Sequence, residues 1–149
     1  NLGSIIKHKH DEIGINSRLD TLQASILIEK LNYLSKQNNK RRKIARYYDN
    51  NILNKNIQKL NYSKNSVYHQ YVIKVNNRTK LTNILKKNKI QYGFHYPNAI
   101  HQLDVFKKSL GKNKFKNAEK LAKDSISIPI DPNLKINDIK KIVKVLNNF

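Results

Sequence analysis

Two short segments of this 149-residue sequence carry residue types from which a ligand site can be built. The first runs from Gly14 through Asn16 to Arg18, where an apolar helical pattern begins. Free backbone N–H groups at a helix N-terminus, an amide side chain and a guanidinium all bind anions. The segment therefore predicts an anion site, and the alternative is an ordinary capped helix whose arginine faces solvent.

The second segment runs from residue 92 to residue 101 and contains two histidines and two tyrosines around a turn at Pro97. Imidazoles transfer protons near neutral pH, and imidazoles and phenols both hydrogen-bond polar ligands. His95, Tyr96 and His101 are therefore candidates for a polar ligand pocket. The alternative is a structural strand end whose aromatic rings pack in the core.

Other chemistries have weaker support in the sequence. His8 and His10 are spaced two residues apart without a supporting carboxylate, so no metal site is expected. The chain has no cysteine and four glycines, which excludes disulfides and thiolate chemistry and argues against a glycine-rich phosphate loop. No paired carboxylates and no Ser/His/Asp arrangement stand out, so no catalytic residue is assigned.

The formal net charge of +20 raises the question of a polyanionic partner. Most of the basic residues are lysines spread along the chain, and lysine, asparagine and isoleucine all have AT-rich codons. Base composition therefore accounts for the charge without a nucleic acid, and nucleic-acid binding is not the favoured interpretation. No apolar run approaches the ~18 residues of a membrane-spanning helix, so the sequence predicts a soluble, cytoplasmic protein.

A long helix is the first element that must position these segments. Ser17 followed by Asp20 is a variant of the capping box, and apolar residues then recur in steps of three and four from Leu19 to Leu34. With the apolar stripe that resumes at Ile44, the pattern predicts a helix over 17–53, about 50 Å long. A helix of this length is longer than one small domain requires, so we expect it to connect two domains.

The remainder of the chain predicts an α+β domain. β-branched and alternating patterns indicate three short strands, and periodic apolar residues indicate three helices, the last capped by Asn137. The predicted strands are 67–75, 90–96 and 126–130, and the first two of these helices are 79–87 and 115–123. A three-stranded sheet layered with helices follows. Because the chain starts at Asn1 and contains no methionine, it is expected to begin inside a longer polypeptide.

These segments together resemble the C-terminal part of DegT/StrS-type nucleotide-sugar aminotransferases. The matching motifs occur in order along the chain, at 14–27, 30–31, 42–48, 66–73, 95–97 with His101, 117–122 and 127–130. The sequence departs from the family at Ala99 and Lys116, where proline is common. The departure at Ala99 affects the placement of His101.

The resemblance implies the C-terminal domain of the aspartate-aminotransferase fold. Residues 1–16 would be a loop from a large domain, 17–53 the connecting helix and 54–149 the small domain. It also implies a pyridoxal phosphate enzyme that moves an amino group from glutamate to a keto nucleotide-sugar, in surface-polysaccharide or modified-sugar biosynthesis. The implied assembly is a homodimer with its active sites at the subunit interface, and the Schiff-base lysine is expected upstream of Asn1.

The resemblance assigns roles to individual residues. Asn16 matches a residue that reaches the cofactor phosphate of the other subunit, and Arg18 matches an arginine that binds phosphate or substrate. His95 and Tyr96 match a segment that approaches the sugar nucleotide, and His101 is a further candidate for binding it. Two alternatives stay open: a basic module that binds nucleic acid or an acidic partner, and a degenerate paralogue kept for oligomerisation only.

Overall fold

The structure is a computed structural model that describes residues 7–10, 12–16 and 19–149. It contains five α-helices and one three-stranded sheet in its described part, which confirms the predicted α+β class. The elements in chain order are α1 (Thr21–Asn51), β1 (Ile57–Lys59), β2 (Tyr71–Val75), α2 (Arg78–Lys87), a 3-10 turn (Ile100–Gln102), α3 (Asp104–Leu110), α4 (Lys116–Asp124), β3 (Ser125–Ile128) and α5 (Ile136–Asn147).

The sheet is antiparallel, with strand order β1-β2-β3. Its register pairs Ile57 with Val75 and Ile73 with Ile126. Along β2 every second side chain is buried, as expected for a strand with one face on the core. The helices supply the rest of that core, which is formed by Ile44, Ala45, Tyr48, Ile52, Ile57, Tyr71, Ile73, Val75, Leu81, Leu85, Ile90, Ile126, Ile128, Ile130, Ile139, Ile142, Val143 and Leu146.

One of the three predicted strands is wrong. The backbone of residues 90–96 pairs with the sheet only at the isolated bridge between Gly93 and Ser127, and the chain bends from residue 95 onwards. The third strand is instead β1, which pairs with the far edge of β2. It was missed because a three-residue strand with polar residues at Gln58 and Lys59 carries too little alternation to detect.

The long helix α1 starts later than predicted. Its N-cap is Asp20, whose carboxylate accepts a hydrogen bond from the Gln23 N–H at 2.7 Å, and its first residue is Thr21. The predicted cap, Ser17, lies outside the described residues. Near its C-terminal end α1 enters the core through Ile44, Ala45 and Tyr48. The Tyr48 hydroxyl donates to the Pro129 carbonyl at 2.8 Å and so ties α1 to the chain just beyond β3.

The shorter helices follow their patterns closely. α2 is capped by Asn77, whose side chain accepts from the Lys80 N–H, and α4 occupies the predicted region. α5 begins at Ile136 with Lys135 as N-cap, so Asn137 lies inside the first turn and is not the cap that was predicted. α3 was not predicted. Over the described ranges, no helix combines the length and apolarity needed to cross a membrane.

Candidate functional site

His95 is held at the sheet edge by Ser127 of β3. The backbones of Gly93 and Ser127 exchange two hydrogen bonds, of 3.0 and 2.8 Å, and the His95 Nδ1 lies 2.9 Å from the Ser127 Oγ. A Cβ at Gly93 would lie 2.7 Å from the His95 Cε1, so glycine leaves the room into which the ring folds back. Gly93 belongs to the predicted 92–101 cluster and Ser127 to the matching motif 127–130, but the sequence assigned neither of them a role in the site. Because isoleucines alternate on both sides of Ser127, the sequence pattern predicts an ordinary strand residue at this position.

The surroundings of His95 favour its neutral form. Partial desolvation, followed by the positive charges of Lys7, His8 and His69, lowers the pKa of His95 below its ordinary value. A neutral imidazole has one donor and one acceptor nitrogen. Because Nδ1 is engaged with the Ser127 hydroxyl, Nε2 is left to donate or accept according to the tautomer, which suits hydrogen bonding to a polar ligand.

A groove of about 410 Å³ opens beside His95. Residues of α1, the chain before β2, the segment 91–95, β3 and the chain after it form its wall. The polar lining side chains are Arg41, His69, Gln70, Gln91, Tyr92, His95, Ser127 and Asp131. A groove of this size with several convergent polar groups is typical of a small-molecule site.

Tyr96 does not line this groove and is 67% exposed. Its ring contacts His95 and His8 edge-on, with centroids 5.8 and 6.0 Å apart, and the His95–Tyr96 peptide bond is cis. A second cavity of about 330 Å³ is lined by Tyr96 together with apolar residues such as Pro97 and Leu103. The structure therefore places the neighbouring rings of His95 and Tyr96 at two different cavities.

His101 is placed differently from the other two predicted ligands. It is 6% exposed, and its Nε2 lies 3.1 Å from the Glu119 Oε1 of α4. The same carboxylate oxygen accepts from the Phe115 N–H at 3.0 Å, and the Phe115 ring packs on the imidazole at 4.9 Å. His101 thus fixes the 3-10 turn onto α4 and does not line the groove beside His95.

The two departures from the family pattern have separate consequences. The Ala99 N–H donates to the Gln102 Oε1 at 3.0 Å, a hydrogen bond that a proline cannot make. Ala99 therefore holds the turn that carries His101 by a bond of its own. Lys116 is the first residue of α4, a position where proline and other residues are equally accommodated.

The predicted anion site at residues 14–18 is not formed by a helix end. Asn16 is exposed in the chain before α1, while the helix N-terminus begins at Thr21 and is occupied by the Asp20 carboxylate. Arg18 lies outside the described residues. Cofactor binding by Asn16 and Arg18 stays a prediction from the resemblance. In the described part of the chain, no three His, Cys, Asp or Glu residues are grouped as metal ligands would be.

Comparison with known proteins agrees with the sequence motifs. Residues 3–147 match the DegT/DnrJ/EryC1/StrS aminotransferase family. The chain is 32% identical over 151 residues to the dTDP-3-amino-3,6-dideoxy-alpha-D-galactopyranose transaminase of Aneurinibacillus thermoaerophilus, covering 100% of this chain and 41% of that protein. It is 32% identical over 144 residues to the UDP-2-acetamido-2-deoxy-3-oxo-D-glucuronate aminotransferase of Pseudomonas aeruginosa, covering 95% of this chain and 40% of that protein.

A solved structure shares the fold. The crystal structure of S. venezuelae DesV in complex with a ketimine intermediate superposes with a TM-score of 0.83 at 26% identity. The superposition covers 99% of this chain and 41% of that one. The chain therefore spans about two fifths of the length of the proteins it matches.

Proposed function

The chain belongs to the DegT/DnrJ/EryC1/StrS aminotransferase family, and we propose that it is the small domain of a pyridoxal-phosphate-dependent nucleotide-sugar aminotransferase. The observation that carries this proposal is the family match over 3–147, together with a histidine held by Ser127 at an open groove. In the proposed reaction glutamate gives its amino group and a keto nucleotide-sugar receives it. The bound cofactor would carry the amino group between the two substrates.

In the proposed enzyme, the residues of this chain bind and orient the nucleotide-sugar and the cofactor. His95 and Tyr96 contact the nucleotide-sugar, and Ser127 keeps the His95 ring turned towards it. Asn16 and Arg18 reach the cofactor phosphate of a second subunit in a homodimer. The exposed Asn16 amide fits a phosphate ligand, because it is a neutral hydrogen-bond donor on the surface before α1. The lysine that bonds the cofactor lies outside this chain.

The names of the two relatives support a nucleotide-sugar as the substrate, since one is a dTDP-sugar transaminase and the other a UDP-sugar aminotransferase. The two differ in nucleotide and in sugar, so the proposal is kept to the class. A keto group on a nucleotide-linked sugar is the acceptor in this class. The expected setting is cytoplasmic biosynthesis of surface polysaccharide or modified sugars.

The complete natural protein tests the proposal directly. It is expected to show the visible absorbance of protein-bound pyridoxal phosphate, and glutamate is expected to bleach that band. Adding a keto nucleotide-sugar should restore it. A protein without the band, or with a band that glutamate leaves unchanged, would contradict the proposal.

Two variants test the residue assignments. Asn16→Ala is expected to weaken cofactor retention about tenfold to a hundredfold, since a hydrogen bond to a charged group contributes about 1.5–3 kcal/mol. His95→Ala is expected to raise the KM for the nucleotide-sugar more than the KM for glutamate. The control is Asn83→Ala, which changes an exposed asparagine of α2 and should alter neither quantity. Unchanged cofactor affinity in Asn16→Ala would remove that assignment.

A further inference from the structure

We propose that the groove beside His95 is an oxyanion subsite in which Arg41 and His69 bind a multiply charged group of a substrate. Two groups of the proposed reaction share this chemistry: the diphosphate of the nucleotide-sugar and the carboxylates of glutamate. The inference rests on the proposed function for the identity of the ligand. It adds two residues that neither the sequence motifs nor the resemblance assigned to ligand binding.

The first observation is the position of Arg41 in the groove. It is half-buried on α1 and lines the groove, and its Nη1 donates to the Asn38 Oδ1 at 3.2 Å. Within the described ranges, the ion pairs are His101–Glu119 and Lys107–Asp104, so no described carboxylate pairs with Arg41. A guanidinium has five N–H donors in a planar fork that matches phosphate and carboxylate oxygens. Because Arg41 is half-buried, its side chain has fewer rotamers to lose when it binds an anion.

The second observation is the set of hydrogen-bonding side chains that surrounds Arg41 in the groove. His69 is exposed at the groove wall, on the same groove as Arg41 and His95. The acid in the lining, Asp131, is occupied as a turn cap, since its Oδ1 accepts from the Asn133 N–H at 2.8 Å. The wall therefore presents the Arg41 guanidinium and the ring nitrogens of His69 and His95 as donors, while the Asp131 carboxylate already holds a backbone N–H.

The size of the groove and its position agree with this ligand. About 410 Å³ accommodates a diphosphate with part of the groups attached to it. The amides of Gln70 and Gln91 provide neutral donors on the same wall. Because His95 lines the same groove, an oxyanion on Arg41 would place the rest of the substrate beside the histidine that is proposed to contact it.

The test compares Arg41→Gln with Arg46→Gln in the complete natural protein. Arg46 is an exposed residue of the same helix, and its guanidinium lies over the Tyr62 ring at 5.2 Å, not in the groove. Arg41→Gln is expected to raise one KM about tenfold to a hundredfold, the size of a lost charge-assisted hydrogen bond. A rise for the nucleotide-sugar identifies the diphosphate, and a rise for glutamate identifies the carboxylate. Arg46→Gln should leave both constants unchanged.

A binding measurement keeps this inference separate from the proposed function. Calorimetric titration with inorganic pyrophosphate needs no turnover, and its affinity is expected to fall in Arg41→Gln, partly recover in Arg41→Lys and stay the same in Arg46→Gln. His69→Gln should weaken it less. If the natural protein binds pyrophosphate but shows no transfer activity, and Arg41→Gln loses that binding, the subsite is supported and the proposed function is rejected. If Arg41→Gln alters neither a KM nor pyrophosphate binding, the subsite is rejected.

Discussion

The two ends of α1 differ in what surrounds them. Near the C-terminal end Ile44 is 7% exposed, and Tyr48 is fully buried in the core with its ring edge-on to Tyr71 of β2. Near the N-terminal end Ile28 is 64% exposed, in a run of apolar side chains that the described residues do not cover. The exposed apolar residues of that end are Leu22, Ile26, Leu27, Ile28, Leu31, Tyr33 and Leu34.

The difference shows that one continuous helix serves two environments. The C-terminal end is stabilised by this chain's own core, whereas an apolar surface as large as that of the N-terminal end is typical of a region that another body covers. The predicted connecting role of residues 17–53 accounts for this difference and stays a prediction. Substitutions that are matched between the two ends test it.

The largest expected effect is Ile44→Ala. Removing a buried isoleucine side chain from the core is expected to lower the free energy of unfolding of the 149-residue chain by about 2–4 kcal/mol. Ile28→Ala is the matched control on the same helix and should change it by less than about 0.5 kcal/mol. Urea denaturation of the two variants measures both values. Equal losses would show that the N-terminal end is packed within this chain.

Alkaline unfolding is the next largest effect and belongs to the packed end. Burial raises the pKa of Tyr48 and Tyr71 above the ordinary value of 10.0, and for Tyr71 the hydrogen bond to Asp49 adds to the increase. The stability they contribute is complete below pH 10 and is lost as pH rises above it, by up to about 1.4 kcal/mol per tyrosine per pH unit. Urea midpoints at pH 9 and 11 measure the loss. Tyr71→Phe should reduce the slope, whereas Tyr33→Phe should not.

The exposed end gives a smaller, local effect. Asp20→Ala removes the cap of α1, and loss of such a cap costs about 1 kcal/mol. Because the first turn of α1 is far from the core, the loss is expected as faster hydrogen exchange of the amides following Thr21, with little change in the urea midpoint. Asp20→Asn keeps a capping oxygen and should preserve the slow exchange. A large shift of the midpoint would contradict the separation of the two ends.

The smallest expected effect concerns His95 at the edge of the packed region. Because its pKa is lowered in the folded chain, its contribution to stability is present above the unfolded value of about 6.5 and is lost as pH falls below it. An NMR titration of the His95 ring should give a midpoint below 6.5. In Gly93→Ala the added Cβ displaces the ring from Ser127 and should move the midpoint upwards. A midpoint at or above 6.5 would show that the ring is better solvated than its position implies.

Much of the fold was predictable because the helices and strands are indicated by local patterns in the sequence. The apolar faces of α2 and α5 each lie within one element, and the alternation of Ile126 and Ile128 marks β3 by itself. β1 could not be predicted in the same way, since its pairing with β2 depends on residues distant in sequence. The start of α1 was misplaced because both Ser17 and Asp20 are good caps, and the choice between them depends on the chain that precedes the helix.

The candidate site was also predictable from the sequence only in part. The sequence by itself determined the α+β class, the family motifs and the cluster that contains His95 and Tyr96, because residue type and spacing express these directly. Only the tertiary structure separated His95, held by Ser127 at an open groove, from His101, buried against Glu119. It also brought Arg41 of α1 to that groove. Which side chains share a cavity depends on how distant elements pack, and no local pattern encodes that.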